Sequence, residues 1–437
     1  MQNDIGHEQY GIYSALIALS ILFISLADFG VNYYITQRGS SKPGELHMLF
    51  SNVFTFKALL LIAYPLILVG VGALLNYSVH ELYFLALLSF IQALLQFVYF
   101  FRANFQASQH FVIDSFVSVL DKVLLIIVVL IIMSYGITLH NFVVGRLLTV
   151  IITFGIVYML ALKIYGWIKP SLDFSAIKQV IISSWPFALI AALYSVNERI
   201  DQVMVERIYG AKEAGLYAAA YRWLDAFMMF LWTITPIFFA KFAFNINNKE
   251  ETSKLFNSGL IICALPFIFL FSFILFYGDK FFILFSNSGI SEINTMSLTL
   301  KILMVSALFS GFFSMFGTLI NSTGFVKPMS VAVGFSILMN VVLNFIFIPQ
   351  YGAIAAAINT GVSTVLLSIV SVLLVSRKNI TDINYGIIFR LLTILSVTYL
   401  TFFLLSYFSL QWFTVSIFAA MVMIVSIFLS GIKKYVI

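Results

Sequence analysis

Residues 5–13, IGHEQYGIY, and residues 209–217, YGAKEAGLY, decide how this chain is built. Gly6, Gly11 and Tyr13 of the first stretch recur as Gly210, Gly215 and Tyr217 of the second. Tyr135, Gly136 and Gly145 match Tyr351, Gly352 and Gly361 in the same way. The first correspondence is offset by 204 residues (6 to 210) and the second by 216 (136 to 352), so the copies differ by an insertion of 12 residues. Several apolar segments lie between the two anchors of each copy, so what is duplicated is a bundle of helices and not a short motif.

Of the 437 residues, 62% are hydrophobic and 10% charged, with a mean hydropathy of +1.04. Soluble domains carry about a quarter charged residues. Apolar runs of twenty or more residues recur from end to end with short polar breaks, as membrane-spanning helices require. The runs do not alternate with period two, which excludes an outer-membrane barrel. The expectation is an all-α integral membrane protein with thirteen spans, the first over 11–36 and the last over 411–431, including separate spans over 326–349 and 352–376. Duplicated membrane bundles point to a transporter built around a central path. The single cysteine, Cys263, excludes a disulfide framework, and none of the five histidines has the spacing of a metal motif. No metal or other cofactor is expected.

The net charge of +6 follows topology. One set of connections carries Arg38 and Lys42, Arg102, Lys163, Lys169 and Lys178, Lys241, Lys249 and Lys254, Lys327, Arg377 and Lys378, and Lys433 and Lys434. The intervening set offers mainly Lys212 and Lys280. By the positive-inside rule the first set is cytoplasmic, the C-terminus with it, and no nucleic-acid role is needed to explain the basic balance. This orientation leaves residues 1–10 outside, and the helix at 177–205 has no counterpart before residue 1. A first helix of about 25 residues, enough to span a bilayer, is therefore expected to be missing. Each repeat then holds six helices, an even number, so the two bundles share an orientation and are related by a pseudo-two-fold axis along the membrane normal. The expected organisation is an N-terminal bundle over 1–166, a C-terminal bundle over 167–378 and two additional helices over 379–437.

Four stretches carry a family resemblance: EQYGIYSALIALSILFISLADFGVNYYITQRGS, FRANFQASQHF, RIDQVMVERIYGAKEAGLYAAAYR and LNFIFIPQYGAIAAAINTGVST. Together they make the chain resemble the Wzx-type polysaccharide flippases of the superfamily that also contains drug and toxin exporters and peptidoglycan-precursor flippases. The resemblance implies a multi-pass protein of the bacterial inner membrane. It would move undecaprenyl-pyrophosphate-linked oligosaccharide for O-antigen, capsule or a related polymer, beside polymerase or glycosyltransferase partners.

Ionisable groups within spans are the candidates for chemistry, because they are costly in hydrocarbon and face a cavity or a partner. Lys57 lies about 15 Å into its helix, near the midplane. Lys122 has similar depth with Asp121 beside it, Arg146 lies nearer one end, and Arg222 is near the middle of its helix. With Arg199 these are the candidate substrate-binding cations, since a guanidinium binds phosphate oxygens two at a time and an ammonium supplies a point charge. Lys57 and Arg146 have no acid within a turn. Arg222 and Asp225, three apart, share a face and so suit pairing as well as binding. Asp28, Glu198, Asp201 and Asp225 are the ion-coupling candidates, with a second reading for Asp28 as the end of a helix broken at Phe29-Gly30. Pro186, Pro236, Pro266 and Pro349 mark expected kinks.

The reading is a lipid-linked oligosaccharide flippase working by alternating access, driven by an ion gradient or the membrane potential, since no nucleotide-binding GxxxxGK[ST] motif is present. A multidrug exporter of the same superfamily is the first rival, for which a lumen dominated by acids is expected. A membrane glycosyltransferase or polymerase is the second, for which a large extramembrane loop is expected.

Overall fold

The computed structural model describes the chain except residues 33, 36–45, 168–172, 246, 286, 324–325, 379, 409–410 and 436–437. The expectations for Arg38, Lys42 and Lys169, and those for the side chains of Pro186 and Lys327, lie outside the described residues. The elements are α1 (Gln2–Leu22), α2 (Ile24–Asp28), α3 (Leu46–Leu74), α4 (Val79–Ala107), α5 (Phe111–Tyr135), α6 (Leu139–Tyr165), α7 (Phe174–Ile208), α8 (Ala211–Phe244), α9 (Lys249–Tyr277), α10 (Ile290–Ser322), α11 (Val326–Lys378), α12 (Tyr385–Ser406) and α13 (Trp412–Ser430). The fold is all-α, and ten of the described helices are long and apolar enough to cross a membrane. The protein is thus a multi-pass membrane protein.

Contacts divide the chain into two compact units, Met1–Arg207 and Ile208–Ile437. This division puts α7 with the helices before it, whereas the duplication puts it at the head of the second copy.

The glycines that define the repeat have a common physical role. Gly6 interrupts α1 with φ 79° and ψ 167°, and Gly210 precedes α8 with φ 126° and ψ 163°. Both conformations are closed to side chains with a Cβ, so the residue type is dictated by the backbone. The helix expected to begin at residue 11 is preceded by helical residues from Gln2, with this interruption between them.

Gly136 ends α5 at φ 95°, and its counterpart Gly352 breaks α11 at φ 52°, ψ −131°. The 53 residues of α11 are consequently two antiparallel spans, as expected from 326–349 and 352–376. Asn359 Nδ2 donates to Asn344 Oδ1 at 2.8 Å and Ser336 Oγ to the Ser363 carbonyl at 3.3 Å, ties that only a fold-back brings together. Pro349 lies three residues before the break.

In the first unit, phenylalanines of α3, α4 and α6 form the core. Phe54 meets Phe97 edge-on at 5.3 Å and Phe97 meets Phe154 edge-on at 5.6 Å. Such edge-to-face pairs add about 0.5–1.5 kcal/mol each beyond their area. The start of α4 is fixed by a capping box: Glu81 N–H donates to Ser78 Oγ at 3.3 Å and Ser78 N–H to Glu81 Oε2 at 2.7 Å. In the second unit α10 is the central helix, with Phe316 edge-on to Phe256 of α9 at 4.8 Å.

Candidate functional site

α2 ends at Asp28 because Phe29 and Gly30 both adopt left-handed conformations, with φ 54° and 69°. A helix that ends in this way has carbonyls at its negative end that lack an amide of a following turn. Lys57 of α3 fills that position. Its Nζ donates to Asp28 Oδ1 at 2.6 Å and reaches the Ala27 carbonyl at 3.4 Å. Its side chain is 1% exposed. The ammonium is tolerable there because a carboxylate and a carbonyl replace its water. Asp28 thus ends a broken helix and pairs with a buried cation from α3.

A second cluster joins α5 to α6. Arg146 grips Asp121 with both terminal nitrogens, at 2.7 and 3.1 Å, and reaches Thr149 Oγ1 at 3.3 Å. Both side chains are largely buried. Lys57 and Arg146 therefore have acids after all, supplied by other helices 29 and 25 residues away in sequence. Lys122 stays 3.4 Å from Asp121 and turns outward with its side chain 69% exposed.

Glu198, Arg199 and Asp201 lie on α7, where Asp201 is buried and each is engaged in an interaction. Arg222 and Asp225 lie on α8 in the second unit, Arg222 exposed and Asp225 half-buried, and they too are engaged.

Three groups of polar residues were not anticipated. Glu206, with its side chain 3% exposed, accepts from Tyr77 Oη at 2.8 Å and from both Nε (2.6 Å) and Nη2 of Arg207. The same guanidinium lies 3.7 Å from the centre of the Tyr77 ring and donates to the Leu75 carbonyl at 3.2 Å. Burial, and then the neighbouring Glu206 carboxylate, pushes the Tyr77 phenol well above its ordinary pKa. This clasp ties the turn between α3 and α4 to the last turn of α7. Glu206 and Arg207 stand inside the quoted RIDQVMVERIYGAKEAGLYAAAYR stretch, but adjacent residues on a helix point apart, so their closing on one tyrosine was not predictable from spacing.

Arg102 binds Asp114 through Nε at 2.6 Å, with Gln106 donating to the same carboxylate at 2.9 Å. In the second unit Asn344 donates to Asn340 at 2.9 Å and accepts from Asn359, all three buried. Among the described residues no group of three or more His, Cys, Asp or Glu gathers as metal ligands would.

The family model "Polysaccharide biosynthesis protein" matches residues 1–239, more than half of the chain. The chain belongs to that family. The family member's fold is also that of known transporters. The lipid II flippase MurJ, in an inward closed conformation, superposes with a TM-score of 0.69 at 16% identity, covering 98% of this chain and 97% of MurJ. An inward-facing multidrug resistance MATE family transporter of the MOP superfamily gives 0.68 at 15% identity over 85% and 93% of the two chains. A MOP superfamily transporter from Pyrococcus furiosus gives 0.57 at 16% identity over 85% of each. By sequence, an uncharacterized membrane protein of Methanocaldococcus jannaschii is 23% identical over 199 residues, which is 44% of this chain and 45% of that protein. The chain thus matches under half the length of that curated relative.

Proposed function

We propose that this polysaccharide biosynthesis family member is a flippase for undecaprenyl-pyrophosphate-linked oligosaccharide, of the Wzx type, in the bacterial inner membrane with its C-terminus in the cytoplasm. It acts as a carrier and not as an enzyme, for O-antigen, capsule or a related polymer, beside a polymerase or glycosyltransferases. The observation that carries the reading is the buried Lys57–Asp28 pair, in a chain whose family makes polysaccharides. A pyrophosphate arriving at α3 competes with Asp28 for the ammonium, and exchange of one anion for another never leaves the cation bare in a low dielectric. The displaced carboxylate then takes up a proton or cation, which couples the exchange to the gradient. Arg146, released from Asp121, offers the bidentate grip that phosphate favours. Arg199, Arg222 and Lys122 extend the cationic set, and Glu198, Asp201 and Asp225 the acidic one.

The test uses the full chain in liposomes loaded with fluorescent polyprenyl-pyrophosphate oligosaccharide, following loss of accessibility to an added glycosidase. Wild type should equilibrate the two leaflets, and the Lys57→Met/Asp28→Asn double variant should not. Equal rates for the two proteins would remove the pair from transport. The likeness to the MATE transporter favours a second reading, export of cationic drugs. Resistance conferred by overexpression, with no oligosaccharide movement in the liposomes, would select it.

A further inference from the structure

Lys57 is not the only buried donor that α3 turns toward α1 and α2. Tyr64, seven residues further along α3 and fully buried, donates its hydroxyl to the Ser20 carbonyl. Residues seven apart on a helix lie on one face. Ser20 stands in the last turn of α1 and Ala27 in the last turn of α2, where carbonyls lack an amide from a following turn. One face of α3 therefore supplies a donor to each helix end, Tyr64 to Ser20 and Lys57 to Ala27. The register matches, with seven residues from Ser20 to Ala27 and seven from Lys57 to Tyr64.

Between these two ties lies α2, five residues bounded by Phe23 (φ −94°, ψ 11°) and the left-handed Phe29. A helix this short does not persist on its own hydrogen bonds. Its direction, and with it the place of Asp28, depends on what fastens its ends. At one end the fastening is the ion pair with Lys57, and at the other it is the bond from Tyr64 to the end of α1. Pro65, next to Tyr64, has no amide to give the α3 backbone, so the bond to Ser20 braces a level at which α3 lacks a hydrogen bond of its own.

We infer that Tyr64 is a positioning residue for the Lys57–Asp28 pair. By fixing the end of α1 against α3, it holds α2 in the register that brings Asp28 opposite Lys57. That the pair takes part in transport is the reading proposed above, whereas the role of Tyr64 concerns the geometry of the pair and is tested without cargo.

The experiment compares thermal midpoints of the full purified chain for Lys57→Met, Asp28→Asn and the double variant, each with Tyr64 and with Tyr64→Phe. The coupling is the amount by which the double variant escapes the summed losses of the single ones. It should fall by about half or more in the Tyr64→Phe set. A tyrosine that only adds stability would lower every midpoint alike and leave the coupling unchanged, which would overturn the inference, as would the absence of coupling with Tyr64 present. 4-Aminophenylalanine at position 64 keeps a donor on the same ring and should restore the coupling. 4-Fluorophenylalanine fills the space without donating and should not, and the reverse pattern would count against the hydrogen bond. Ser272→Ala removes another buried hydroxyl-to-carbonyl bond, in the second unit, and should leave the coupling intact. A loss there would show that the coupling follows stability alone. If Tyr64→Phe does not accumulate, hydrogen exchange of the wild type decides. The Phe29 amide, bonded to the Ser25 carbonyl at 2.6 Å, should be protected to within about tenfold of the amides of α1. Exchange there more than about a hundredfold faster would show that α2 is not held. The liposome assay reads the transport role separately, so either idea can fail without the other.

Discussion

Lys57 Nζ and Asp28 Oδ1 meet at 2.6 Å across two helices, and the carbonyl of Ala27 shares the same ammonium. Removing either side chain alone leaves the other charge buried and unpaired, at a cost of about 3–5 kcal/mol. Lys57→Met and Asp28→Asn should each lower the thermal midpoint of the purified protein sharply, whereas the double variant should recover most of the loss. Additive losses in this double-mutant cycle would show that the two groups are not coupled.

Arg146 depends on geometry as well as charge. Arg146→Lys keeps the cation but forfeits one of the two bonds to Asp121, so it should recover only part of the stability lost in Arg146→Ala. The measurement is the thermal midpoint of the three proteins, and equal midpoints for wild type and the lysine variant would argue that the fork is unimportant.

The clasp on Glu206 predicts a local effect. Tyr77→Phe keeps the ring under Arg207 but removes the hydroxyl that donates to Glu206, which costs about 1–3 kcal/mol for a buried acceptor left short of a donor. Hydrogen exchange should quicken in the turn at 75–78 and the last turn of α7 together. Faster exchange in one segment without the other would show that the clasp does not join them.

Gly352 is crowded as well as left-handed. A Cβ there would lie 2.8 Å from Glu213 Oε1, the oxygen that accepts the Ala353 N–H at 3.2 Å. Gly352→Ala should destabilise by about 1–3 kcal/mol from backbone strain, before the displacement of Glu213 is added. Gly155→Ala is the control, a mid-helix position with open space around it, and should be neutral or mildly stabilising.

The parts of this molecule that local chemistry dictates were legible in the sequence. The repeated glycines Gly6/Gly210 and Gly136/Gly352 mark breaks because only glycine readily accepts those torsions, and the division of α11 near residue 350 follows from the same signal. Asp28-Phe29-Gly30 announced a helix end for the same reason. What spacing could not supply was the partner of each buried charge. Asp28 and Asp121 reach Lys57 and Arg146 from neighbouring helices, and helical periodicity reports only on residues within a turn or two. Lys122 shows the converse, since adjacency to Asp121 said nothing of which way the ammonium turns. Glu206 and Arg207 read as an ordinary charged helix end until Tyr77 is brought beside them.

The reversal of α11 is made without a connecting loop. Three residues after Pro349 the chain turns on Gly352, and Glu213 fastens the first amide beyond it. Epitope tags, fluorescent fusions and protease sites need slack to be accommodated, and this corner holds none. An insertion there would pull the stacked asparagines of the two arms out of register, so probes of sidedness belong in other connections.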